Sequence, residues 1–490
     1  MKIFALIAIL INLLIFQAPA QPLPKFQQYF IDKTMRVDFY HIGDAQNEII
    51  TLDHIYQQGT WAGSTKNLID PFNNGRYFIK IYDVTSDELL YSKGYNSYFG
   101  EYQTSDPALR GIQRTYHESA LIPYPKQKIK FVVEHRDRQN NLSPFFETEI
   151  DPEDVGIIKE KLSGNTTVFT ELKNGSPHEK VDLVFIAEGY TDREKMKFEK
   201  DLHKFSNIFL EQEPYKSHRN SFNIYGVFKP SEESGCDEPR HDSFKNTVLN
   251  CTFNSLGSAR YLLTEDNKSL RDIAAHVPYD ALVIMVNHSR YGGGGIYNFF
   301  CTFTAHNQWS EYLLLHEFGH SFSGLADEYY SSSTAYNDFY PPGIEPTEPN
   351  ITALLDPTNL KWKQLLTPGI EIPTPWNKKE YDRIDSIYQK RRRELNDIIT
   401  RLKKEHAPES QINAAQEEAS AHSRKFASKM DNFLKKSKYA GKVGAFEGAG
   451  YSSKGLYRPM LDCIMFSKGK KPYCKVCEQA IIKIIEQYSK

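Results

Sequence analysis

The sequence predicts an α+β chain of more than one domain: a β-sandwich-like amino-terminal domain, then an α/β unit carrying a helical hairpin. Three observations predict it. Apolar residues from position 21 to about 160 recur in the strand period between turn-forming clusters. From about residue 165, buried-strand runs alternate with helical patterns. Between 377 and 438 the chain becomes rich in Lys, Arg, Glu and Gln with apolar residues at helical spacing. The 490 residues are enough for roughly two to four domains, and 40% hydrophobic content supports packed cores. A net charge of -2 favours neither nucleic acid nor an anionic membrane as partner.

Residues 1–20 read as a secretion signal. Lys2 gives a charged start, Ile3 to Phe16 are almost wholly apolar, and Ala18-Pro19-Ala20 fits small-x-small cleavage. The expected mature chain begins near Gln21 and is exported (secreted, periplasmic or at the cell surface), with no transmembrane segment after signal removal. Export permits disulfides among the six cysteines, Cys236, Cys251, Cys301, Cys463, Cys474 and Cys477, whose pairing the sequence leaves open. Cys474-Lys475-Val476-Cys477 is half of a metal or redox motif. With no second Cys pair or nearby His, it reads as a local structural pair or two free thiols.

In the 21–160 domain, Tyr77–Tyr82 and Ile129–Glu134 alternate as strands, and Asp70–Gly75 is a turn cluster. Its histidines, His41 and His54, stand alone and read as ordinary surface or core residues. Leu162–Thr167 marks a polar boundary. The 165–490 unit opens with the strand Val181–Ala187. A capping box of Thr191 with Glu194 follows, and then a helix with Phe198, Leu202, Phe205 and Phe209 on one face. Strands are expected at Phe222–Phe228 and Ala281–Asn287, with a short helix near Leu270–Ala275 between them. Arg290–Tyr297 is glycine-rich but lacks the Gly-Lys-Ser/Thr of a phosphate loop. Asn298–Thr304 reads as a strand. Residues 294–304 could pair with an extended substrate by strand addition, or could be plain sheet. In the hairpin at 377–438, Tyr381, Ile384, Tyr388, Leu395, Ile398 and Leu402 precede Pro408, and Phe426, Met430 and Phe433 follow it. Ala480–Tyr488 forms a short amphipathic helix.

Asn307–Ser323 is the helix that carries chemistry. It contains His316-Glu317-Phe318-Gly319-His320, a His-Glu-x-x-His motif. Positions i and i+4 share a helix face, so His316 and His320 can hold one metal ion. Glu317 projects beside them and can take a proton from water. Tyr312, Leu313 and Leu315 anchor the helix, and Gly324 ends it. A catalytic zinc site needs three protein ligands and an open position. The chain turning after Gly324 can bring back Asp327, the first choice as third ligand, or Glu328, the second. The expected reaction is hydrolysis of peptide bonds in protein or glycoprotein substrates, with Zn2+ as cofactor and Glu317 as general base. The competing expectation is a catalytically silent protein that binds a surface ligand on a peptidase scaffold.

The chain resembles the IgA peptidase family of zinc metallopeptidases, in the metzincin-like group. The resemblance rests on the His316–His320 motif with Gly324-Leu325-Ala326-Asp327-Glu328-Tyr329, and on Ala187-Glu188-Gly189-Tyr190-Thr191. Gly448-Ala449-Gly450-Tyr451 and Tyr457-Arg458-Pro459 with Cys463-Ile464-Met465 complete it. It implies a zincin/metzincin-like catalytic domain, a zinc endopeptidase with His316 and His320 as ligands and Glu317 as base, and Met465 in a Met-turn under the site. Gly324 and Asp327 each lie one residue later than His-Glu-x-x-His-x-x-Gly-x-x-His/Asp requires. Cleavage of immunoglobulin A is not implied, because specificity resides in surface loops and accessory domains.

Overall fold

The computed structural model describes residues 26–159, 162, 164–331 and 340–489. The expected signal segment, and part of the expected boundary at Leu162–Thr167, lie outside them.

The first part of the chain forms two four-stranded sheets. β1 (Phe30–Gly43), β2 (Glu48–Gln57), β5 (Arg114–Pro125) and β8 (Ile158–Lys159) are ordered β5-β1-β2-β8. β3 (Tyr77–Asp83), β4 (Leu89–Tyr95), β6 (Ile129–Arg136) and β7 (Leu142–Ile150) are ordered β4-β3-β6-β7. Short helices α1 (Phe26–Tyr29), α2 (Tyr98–Tyr102) and α3 (Asp106–Leu109) flank them. Val37, Phe39 and Ile122 of one sheet share a core with Ile79, Ile81, Phe131 and Val133 of the other. The spacing of two within each strand puts these residues on one face. The opposite face of β1 is buried as well. Arg36 pairs there with Asp38, and its Nη1 reaches Asp272 Oδ1 at 2.5 Å, tying the two halves of the chain together.

The second part is built on a six-stranded sheet ordered β13-β14-β12-β10-β11-β9. Its strands are β9 (Thr167–Leu172), β10 (Val181–Glu188), β11 (Phe222–Phe228), β12 (Ala281–Val286), β13 (Gly293–Ile296) and β14 (Phe300–Thr304). The four central strands run parallel, and both outer strands are antiparallel to their neighbours. Leu183 and Phe185 of β10 face a core shared with α4 (Lys195–Glu211), the motif helix α6 (Ser310–Ser323) and α9 (Lys475–Ser489). Val184 and Ile186 face the other side, with Leu270 and Ile273 of α5 (Asn267–Ala274). The continuous apolar run of β10 thus reflects burial on both faces. The capping box of Thr191 and Glu194 is present.

Several elements differ from expectation. β9 was not expected; its alternating Thr167-Val168-Phe169 is the weak signature of an edge strand with one wet face. Residues 294–304 comprise two strands. β14 is internal, and only β13 lies at the edge. Even that edge is met at Gly293 by the Leu262 amide, 3.3 Å from the Gly293 carbonyl. The glycine-rich 443–451 segment supplies the first strand and the turn of a hairpin, β15 (Phe446–Ala449), which pairs with β16 (Ser452–Arg458). The last helix starts five residues earlier than expected, just after Cys474. The hairpin helices α7 (Lys378–Lys404) and α8 (Glu409–Lys435) stack Tyr388 on Phe426, ring centroids 3.8 Å apart. Among the described residues no helix is long and apolar enough to cross a membrane.

Candidate metal centre

The helix α6 lies across the β13–β14 end of the sheet. Its start is shaped by Asn307, whose side chain accepts from the Trp309 amide at 2.9 Å. It stops at Gly324, where φ is +60°, a left-handed conformation that glycine adopts without a Cβ penalty. The amides of Gly324 and Leu325 close back on the carbonyls of His320 and Gly319.

His316 and His320 project from one face of this helix. Their Nε2 atoms are 3.2 Å apart. His316 Nδ1 lies 3.0 Å from the Ile464 carbonyl, and His320 Nδ1 lies 2.6 Å from the Leu325 carbonyl. A carbonyl only accepts, so both Nδ1 atoms carry the proton and both Nε2 atoms present lone pairs to the same point. Asp327 completes the set. Its Oδ1 is 3.0 Å from His316 Nε2 and 3.3 Å from His320 Nε2. Tyr451 donates its hydroxyl to Oδ2, and the Gly450 amide bonds the Asp327 carbonyl at 2.9 Å. Burial alone would raise the Asp327 carboxyl, but the two imidazoles outweigh it and hold the group well below its ordinary range. For His320, burial pulls downward while Asp327, with no cation between them, pulls the imidazole up to about 9; a cation at Nε2 would take the place of that second proton.

Glu317 stands beside the pair, against β13. A Cβ at Gly293 would come within 3.1 Å of Glu317 Cγ, and one at Gly295 within 2.3 Å of the Glu317 carbonyl. Only glycine lets the strand approach the helix this closely. Burial raises the Glu317 carboxyl above its ordinary value, against the opposing charges of His316 and His320. Met465 is buried beneath the helix, close enough that a Cβ on Gly319 would stand 3.0 Å from its sulfur.

The four residues expected from sequence are therefore neighbours. Glu328, the second choice, is not. Successive side chains in an extended segment point to opposite sides. Glu328 accordingly turns away from the histidines, with Oε1 3.2 Å from Cys477 Sγ. Sequence reasoning gave no part to Tyr329, Tyr451 or Arg260. Tyr329 lies parallel to the His316 ring, and its hydroxyl accepts from Arg260 Nη2 at 3.1 Å. The two tyrosines stand inside the motif segments 324–329 and 448–451; Arg260 stands in no motif.

Residues 170–485 match the family model described as IgA Peptidase M64, and residues 25–147 match the one described as Peptidase M64 N-terminus. The chain belongs to the IgA peptidase M64 family. M64 peptidases are metallopeptidases, and the histidine pair lies inside the matched peptidase region. No curated protein matches the chain significantly. The M64 amino-terminal match covers most of the two-sheet region, where one of the two lone histidines lies in the core and the other at the surface. His41 is buried against Glu48 and Glu118 and stacks on Phe99, while His54 is half-exposed beside Asp53.

Proposed function

We propose that this M64 peptidase is an exported zinc endopeptidase. In this reading His316, His320 and Asp327 hold the metal, Glu317 is the general base, residues 165–490 are the metzincin-like peptidase domain and residues 21–160 an accessory domain. The observation that carries the reading is the convergence of three acceptor atoms. Tetrahedral zinc with ligand distances of about 2.0–2.1 Å requires edges of about 3.3 Å between ligand atoms. The two Nε2 atoms and Asp327 Oδ1 are 3.0–3.3 Å apart. Oδ1 is buried and receives no hydrogen bond among the described residues, as a carboxylate oxygen reserved for a cation would be.

Zinc, when bound, supplies a Lewis acid for the scissile carbonyl and lowers the pKa of water. The protein supplies the rest. Glu317 would accept the proton from the attacking water and pass it to the leaving amine. Tyr451 keeps Asp327 oriented. Arg260 and Tyr329 line the same cleft and offer donors to a substrate carbonyl. Gly294–Ile296, on the edge strand next to Glu317, is the stretch where an extended substrate chain could add to the sheet. The immunoglobulin substrate in the family description is not assigned to this chain.

Glu317→Gln tests the reading. The variant should keep its zinc, measured by plasma mass spectrometry, and lose cleavage of a broad peptide library by at least about 10²-fold, the span of general-base catalysis. A zinc-loaded wild type that cleaves nothing in the library would favour a ligand-binding protein instead.

A further inference from the structure

The geometry points to a second metal site in this chain, a closed structural zinc site formed by Glu328, Cys463, Cys474 and Cys477. It does not depend on the reading of the first site.

All four residues are buried, at 0%, 1%, 3% and 0% exposure, and one ligand atom from each falls within 4.8 Å of every other. The distances suit a tetrahedron. Zinc with Zn–S of about 2.3 Å and Zn–O of about 2.0 Å places sulfurs about 3.8 Å apart, and sulfur about 3.5 Å from oxygen. Cys463 Sγ and Cys477 Sγ are 3.9 Å apart. Glu328 Oε1 is 3.2 Å from Cys477 Sγ and 3.6 Å from Cys474 Sγ.

The surroundings are those of thiolates. The Cys474 and Met465 amides point at Cys463 Sγ at 3.1 and 3.4 Å, and the Cys477 amide points at Cys474 Sγ at 3.5 Å. A neutral thiol is a weak acceptor and gives little return for three buried amides. Asn350 holds the carboxylate, donating to Oε1 at 3.2 Å, while bonding the Ala326 amide and carbonyl. Glu328 Oε2 is buried with no hydrogen bond among the described residues. Arg458 acts on this carboxylate through space but forms no ion pair with it, its Nη1 donating to the Gly448 carbonyl instead, and an acidic side chain sealed among thiols stays costly unless a bound cation compensates it. A disulfide does not account for the group. All three cysteines are free thiols, Cys463 Sγ and Cys477 Sγ standing 3.9 Å apart against a bonding distance of about 2.05 Å, and pairing two of them would strand the third beside Glu328.

Three soft thiolates and one carboxylate in tetrahedral array select zinc over magnesium, calcium or manganese. Four protein ligands leave no open position, so the role is structural. The place in the fold defines what it braces. Glu328 follows Asp327 directly, its amide bonds the Met465 carbonyl at 2.9 Å, and Cys474 and Cys477 stand at the start of α9. One ion would thus clamp the segment bearing Asp327, the segment beneath the histidines and the last helix.

The test is metal content of the purified full chain, with a site-resolved control. Wild type should carry two zinc equivalents. His316→Ala/His320→Ala should keep one, and cobalt loaded into that double variant should show intense sulfur-to-metal charge-transfer absorption. Cys474→Ser/Cys477→Ser should lose one equivalent; if it fails to fold, the histidine variant alone decides. A folded histidine variant holding no zinc, or holding cobalt without thiolate absorption, overturns the proposal. So does a wild-type mass lower by two hydrogens with a disulfide-linked peptide from these cysteines. Failure of the histidine site would appear separately, as a wild type with one thiolate-bound zinc.

Discussion

Tyr451→Phe removes one hydroxyl and nothing else. That hydroxyl donates to Asp327 Oδ2, and the ring packs edge-on against Tyr329 with centroids 5.7 Å apart. Burial, together with the neighbouring Asp327 charge, keeps the phenol well above its ordinary pKa, so Tyr451 stays a donor across the working range. Phenylalanine preserves the packing and leaves Oδ2 buried without its donor. A hydrogen bond to a charged group contributes about 1.5–3 kcal/mol. Loss of an outer partner that orients a metal ligand costs about 10–100-fold in metal affinity or activity. At about 1.4 kcal/mol per factor of ten, these two scales agree. The expected result is a zinc affinity weakened about 10–100-fold at the site abolished by His316→Ala, measured by competition with a chromophoric chelator. The value of kcat/KM at limiting zinc should fall in parallel. Zinc affinity within about twofold of wild type would refute the assignment of Tyr451 as the group that orients Asp327.

Gly295→Ala should destabilise the fold by about 1–3 kcal/mol in urea unfolding and weaken zinc binding, because the new methyl meets the Glu317 backbone carbonyl at 2.3 Å; an unperturbed variant would show that β13 can move off the helix. Glu238→Ala should cost about 3–5 kcal/mol. It strips the buried carboxylate that His241, Arg290 and Lys403 share at 2.5–2.9 Å and so releases α7; a loss below about 1 kcal/mol in the unfolding midpoint would contradict this. Stability should also fall in acid through Glu48. Burial alone would raise this carboxyl, but His41 and His135 hold it at about 2 against an ordinary 4.5. Its contribution, on the order of 3 kcal/mol, is therefore complete above pH 4.5 and disappears as pH falls toward about 2. Glu48→Gln should flatten that limb of a stability profile followed by tryptophan fluorescence. Chelation should abolish peptide cleavage and zinc should restore it; activity unaffected after verified metal loss would exclude the zinc reading.

Much of the catalytic half was legible because its signals are local. The capping box of Thr191 and Glu194, the apolar face of α4 and the left-handed stop at Gly324 each follow from residues within a few positions of one another. Such short-range preferences survive folding because tertiary contacts reinforce them. β9 and the β15–β16 hairpin were harder to read. The first has one exposed face, and the second is built from glycines whose positions are set by packing, as at Gly448, where a Cβ would stand 2.4 Å from the Tyr330 ring.

The meeting of His316 and His320 was legible in the sequence alone, since the pitch of a helix places i and i+4 on one face whatever surrounds it. The choice between Asp327 and Glu328 was not. Both are acids at neighbouring positions, and only the tertiary structure turns one toward the histidines and the other toward the cysteines. Cys474 and Cys477 looked like half a motif for the same reason. Their partners Cys463 and Glu328 are supplied by the folded chain, Glu328 from 146 positions away, and a contact at that range leaves no trace in local spacing.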